Sequence, residues 1–148
     1  MDFLEKRAFA GQIARAGESQ IIAKSSFNRS ESDIGFGVFV GIKDDGVTTL
    51  SKATDTIAGV TLKIGTKSVN KPDEALSVLS LPHGAEIWVQ GKSEHGLSEN
   101  DDVKIEATAG EDAGKVAKTP TLSLKAAEGK FYAVEVLGDL IKIARKEA

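Results

Sequence analysis

Short apolar segments that alternate with tight polar turns constrain this chain more than any other feature. Ala75-Leu76-Ser77-Val78-Leu79 runs to a Pro82-His83-Gly84 turn, Glu86-Ile87-Trp88-Val89 follows, Gly91 breaks the run, and Val103-Lys104-Ile105-Glu106 rises again. Leu76 and Val78, then Ile87 and Val89, recur at a period of two, which sends alternate side chains to one face of a sheet. The stretch reads as all-β. It holds neither a nucleophile beside a base nor a metal-ligand cluster, so it reads as a surface that adheres rather than reacts.

The same pattern extends from residue 35 to the C-terminal end. Residues 35–41 form an apolar run bounded by glycine, with Phe36, Val38 and Val40 on one face and Phe39 on the other. Asp44-Asp45-Gly46 predicts a hairpin turn in which Asp-Gly supplies the positive φ, and Val47-Thr48-Thr49-Leu50 follows as a strand. Val60, Leu62 and Ile64 alternate with polar Thr61 and Lys63. A Gly- and Ala-rich loop over residues 108–119 carries a short strand near Lys115-Val116-Ala117. Residues 131–137 and 140–145 then form two strands around a Gly138-Asp139 turn. About eight short strands separated by turn signals predict an all-β fold, a small β-barrel or β-sandwich.

Residues 1–33 differ. Ala8, Phe9, Ala10, Ile13, Ala14 and Ala16 are interrupted by Gly11 and Gly17, and Ser25-Ser26-Phe27-Asn28-Arg29-Ser30 is polar. This predicts an extended N-terminal arm over 1–33 ahead of a single β-domain over 34–148. Phe3, Leu4, Phe9, Ile13, Ile21, Ile22 and Phe27 are too scattered for a core of their own and call for a partner surface, with Arg7, Arg15 and Arg29 as charged anchors. Ile21, Ile22 and Phe27 serve equally well as padding for the domain's core. Removal of residues 1–17 is expected to leave a folded domain that has lost its partner. The lone Trp88, on an alternating strand, is expected in the sandwich core.

Composition narrows the function. A length of 148 residues suits one domain, and 19 Lys+Arg against 22 Asp+Glu give no basic excess for phosphate, so no nucleic-acid partner is expected. Cysteine is absent, which excludes disulfides and thiolate metal sites. No run approaches the ~20 apolar residues of a spanning helix, and the N-terminus lacks a secretory signal, so no membrane association and synthesis in the cytoplasm are expected.

Candidate chemistry is sparse. His83 and His95 lack metal-ligand spacing and read as turn histidines. Glu94, Glu99, Asp101 and Asp102 form an oxygen-rich loop without the EF-hand spacing, and reads as a solvated turn. Two lysines face seven carboxylates across residues 91–112, an acidic edge suited to a basic partner or to solvent. Gly35, Gly37 and Gly41 lie inside a strand with no helix behind them, so a dinucleotide loop fails its context. No Gly-x-Ser-x-Gly elbow is present. Neither an enzyme nor a cofactor is expected.

Four segments in order carry a resemblance: Gly11-Gln12-Ile13-Ala14, Ile57-Ala58-Gly59-Val60, Gly84-Ala85-Glu86-Ile87-Trp88-Val89 and Asn100-Asp101-Asp102-Val103. Together they resemble the structural cement, or decoration, proteins of tailed-bacteriophage capsids. The resemblance implies a small β-barrel or sandwich with an arm, placed on the virion's capsid exterior. It further implies a homotrimer that binds the major capsid protein and staples neighbouring capsomers against internal DNA pressure. The competing readings are a tail or baseplate adaptor, present in few copies, and a small ligand-binding β-module with a preformed pocket.

Overall fold

The computed structural model describes residues 8, 10–15, 23–63, 68–81 and 84–146. They form eleven strands: β1 (Ile13–Arg15), β2 (Ala23–Phe27), β3 (Phe39–Lys43), β4 (Gly46–Thr49), β5 (Ile57–Thr61), β6 (Ala75–Leu79), β7 (Glu86–Gln90), β8 (Asp102–Ile105), β9 (Val116–Ala117), β10 (Phe131–Leu137) and β11 (Leu140–Arg145). Two antiparallel sheets result, one in the order β1-β7-β11-β10-β8-β9 and the other β2-β6-β5-β3-β4. Neither closes into a barrel, and the pair packs as a sandwich.

The period-two pattern explains which side chains meet between the sheets. Phe39, Leu50, Val60 and Leu79 from the five-stranded side face Ile87, Val89, Val103, Ile105, Phe131, Ile141 and Ile143 from the other. The Phe39 and Phe131 rings lie 5.3 Å apart at their centroids, a tilted pair that links the sheets. On β8, Val103 and Ile105 point inward while Asp102 and Lys104 stay exposed, as the alternation predicts.

A second apolar cluster, Ile34, Val38, Val40, Val47, Leu76 and Val78, lies on the other face of the five-stranded sheet. That sheet curls strongly. Its edge strands approach each other at a parallel bridge between Asn28 and Val47, where the Arg29 N–H donates to the Val47 carbonyl at 2.7 Å. Asn28 is fully buried and satisfied: Oδ1 accepts from the Ser30 N–H (2.9 Å) and hydroxyl (2.6 Å), and Nδ2 donates to the Ser32 (2.9 Å) and Asn70 (3.0 Å) carbonyls. One side chain thereby folds the polar run that follows β2.

Several local expectations change. The strand predicted over 35–41 begins only at Phe39, because the backbone before it bridges two neighbours. The Gly37 N–H donates to the Thr61 carbonyl, and Gly37 in turn accepts from Gln90. Phe39 still opposes Val38 and Val40, whereas Phe36 joins neither cluster and lies under Lys63, 4.7 Å from its ring centroid. In the β3–β4 hairpin the positive φ falls on Asp44 (51°) rather than on Gly46. Gly46 is needed for closeness instead, since a Cβ there would lie 2.3 Å from the Phe27 carbonyl oxygen. Thr61, expected on an outer face, is fully buried, its hydroxyl donating to the Gly35 carbonyl at 2.8 Å. Trp88 is buried but faces away from the core that Ile87 and Val89 enter, with Lys142 Nζ 5.5 Å from its ring centroid.

Residues 10–15 tie into both sheets. The Gly11 N–H donates to the Trp88 carbonyl (2.8 Å), the Trp88 N–H to Gln12 (2.9 Å), and the Lys63 N–H to Gly11 (3.2 Å). Gly11 has φ +82°, and a Cβ on it would sit 2.6 Å from Lys63 N, so the strap admits only glycine. β1 continues it along β7, pairing Ile13 with Ile87 and Arg15 with Glu86. β2 pairs with all five residues of β6.

Candidate contact surface

The expected contact residues fall in separate places. Ile13 and Arg15 lie in β1 at one edge of the six-stranded sheet, with Ile13 37% exposed. Phe27 and Arg29 lie at the end of β2 on the other sheet, with Phe27 42% exposed. Phe3, Leu4, Arg7, Phe9, Ile21 and Ile22 lie outside the described residues.

Phe27 and Arg29 form one unit. The guanidinium lies 4.9 Å from the Phe27 ring centroid and donates from Nε and Nη2 to both Asp45 carboxylate oxygens, at 2.7 and 2.9 Å. Nη1 donates to Asp73 at 3.1 Å. The hydrogen bond from Arg29 holds the Asp45 carboxyl below the usual carboxylate range and raises the guanidinium in return. The fork clips the β3–β4 hairpin to the segment after β2, and its carboxylates are solvent-exposed, so its contribution to stability is small.

Sequence reasoning did not identify the most exposed large hydrophobic side chain of the described residues. Ile42, on β3, is 57% exposed and stands beside a shallow groove at the open side of the curled sheet. Leu122 and Leu137 are further exposed apolar residues. No period marks Ile42 as exposed, since Val40, two residues earlier on the same face, is fully buried.

The polar candidates serve the fold. His95 accepts the Leu97 N–H on Nδ1 at 2.9 Å, so Nε2 carries the proton and donates to the Gly138 carbonyl at 2.8 Å. It is a turn histidine, as expected; His83 lies outside the described residues. The acidic loop disperses its carboxylates: Asp101 accepts from the Ser98 N–H (2.9 Å) and faces Lys118, while Asp102 pairs with Lys146. Among the described residues no three His, Asp or Glu side chains converge as metal ligands.

Glu106 is the one buried carboxylate among the described residues, 1% exposed. It accepts from Lys92 Nζ (2.6 Å), the Thr108 hydroxyl (2.8 Å) and N–H (3.2 Å), and the N–H groups of Thr121 (2.8 Å) and Leu122 (2.9 Å). Burial pushes this carboxyl up, but the hydrogen bonds from Lys92, Thr121, Leu122 and Thr108 outweigh it and bring it down to about 2. In the sequence Glu106 is only the end of a strand.

Comparison with known proteins accords with this architecture. No curated protein matches the chain. Among solved structures, a chain from the capsid of Myoviridae phage XM1 superposes with a TM-score of 0.74 at 19% identity, over 92% of this chain and 88% of that chain, which shows a shared fold. The family described as "Structural cement protein (E217 gp24/Pam3 gp6)" matches residues 5–146. That match runs through both sheets and β1, so the chain belongs to the structural cement protein family of tailed-bacteriophage capsids and is a capsid cement, or decoration, protein.

Proposed function

We propose that the protein sits on the outside of the capsid as a homotrimer at three-fold or quasi-three-fold positions, binds the major capsid protein, and staples neighbouring capsomers without catalysing a reaction. It is made in the host cytoplasm and joins the shell there. The family match across residues 5–146 carries this reading. Many weak contacts repeated over one lattice then act together, because capsomers held by several staples separate only when all of them release. Phe3, Leu4, Phe9, Ile13, Ile21, Ile22 and Phe27, with Arg7, Arg15 and Arg29, are the proposed contact residues of an arm over 1–33. Arg29 is already held by two carboxylates, so its contribution is to present Phe27.

Co-sedimentation of the purified chain with expanded, undecorated capsids of the matching phage tests the proposal through copies bound per particle. Saturation at hundreds of copies is expected. Saturation at a few copies would instead indicate a tail or baseplate adaptor, and no binding would overturn the cement mechanism.

A further inference from the structure

All five strands of the curled sheet contribute to the groove beside Ile42, which encloses about 250 Å³. Val47, Ala58 and Val78 line it from β4, β5 and β6, and Ile42 and Ile57 add aliphatic surface. Among the described lining residues Lys24, on β2, is the one that carries a charge; it is exposed, and no ion pair engages it among the described residues. Among its described lining residues the site thus presents an aliphatic floor edged by the hydroxyls of Ser25, Ser26 and Ser80, with Lys24 as a cation on its rim. Its complement is an extended segment with large apolar side chains flanked by carboxylates.

The chain contains such a segment at its own N-terminus, Asp2-Phe3-Leu4-Glu5. We propose that the groove receives this segment from a second copy of the chain, with Phe3 and Leu4 on the apolar lining and Asp2 or Glu5 against Lys24. Residues 1–7 reach up to about 25 Å from Ala8 at the extended limit of 3.3–3.6 Å per residue. The contact is head-to-tail, because arm and groove are different surfaces of one molecule, and head-to-tail contacts form a ring where the rotation between copies closes and a filament where it does not. The trimer proposed above is one such ring. The inference rests on the arm of that reading but not on capsid binding.

The test uses the full chain in solution, without capsids, by analytical ultracentrifugation. Phe3→Asp with Leu4→Asp spoils the arm and leaves the groove; Ile42→Asp spoils the groove and leaves the arm. Wild type is expected to associate, and each variant alone to sediment as a monomer. An equimolar mixture of the two variants should form one-to-one pairs and nothing larger, since it holds one good arm and one good groove. Lys24→Glu should weaken wild-type association about fivefold or more. Circular dichroism checks folding; should Ile42→Asp unfold, the weakened association of Lys24→Glu, on an exposed side chain, is the groove readout in its place, and unchanged association of that variant would overturn the proposal. A monomeric wild type, association indifferent to both arm and groove variants, or a mixture that does not pair would each overturn the proposal. Self-association that survives while capsid binding is absent would count against the cement mechanism alone.

Discussion

Glu106 draws four donor residues onto one buried carboxylate and so fixes the connection from β8 through Leu122. Its carboxyl titrates near 2 in the folded chain against an ordinary 4.5. A depressed folded value means the stabilisation is complete above about pH 4.5 and is lost as pH falls toward 2; it amounts to about 3 kcal/mol. Glu106→Gln should therefore lower stability by about 3 kcal/mol at pH 7, with the gap to wild type narrowing as pH falls, as read from urea midpoints across that range. Gly11→Ala introduces a Cβ 2.6 Å from Lys63 N at φ +82°, and should cost about 3 kcal/mol in the same assay.

The strands show what sequence can and cannot reveal. β4 and β6 to β11 lie where apolar pattern and turn residues place them, most cleanly β8, whose one buried face imposes period two, whereas β3 starts four residues later than the pattern predicts and β5 ends at Thr61 rather than running on to Ile64. β2 does not announce itself: Ala-Lys-Ser-Ser-Phe is almost wholly exposed and is held by its ladder to β6 and by Asn28, both tertiary. β1 is three residues long and depends on β7. The groove is equally invisible in the sequence, since it exists only where five strands curl together. Placement of β1 also fixes how the arm is tested. Removal of residues 1–7 should leave the melting temperature within a few degrees of wild type and abolish capsid binding. Removal of residues 1–17 also deletes β1 and the Gly11 strap, and should lower the melting temperature far more.

For the whole molecule, stapling predicts a mechanical result. DNA-filled capsids saturated with the protein should release their DNA at a higher temperature than undecorated ones, measured by dye accessibility on heating, with the increment rising with occupancy. An unchanged release temperature at full occupancy would contradict stapling. The expected copy number places these chains side by side at very high local concentration, the condition in which open sheet borders recruit one another into fibrils. Among the described residues the six-stranded sheet ends in strands of three and two residues, Ile13–Arg15 and Val116–Ala117, short borders for templating a growing ribbon. Crowded copies of such a sheet remain discrete tiles, and a coat built from them can be laid down densely without fusing.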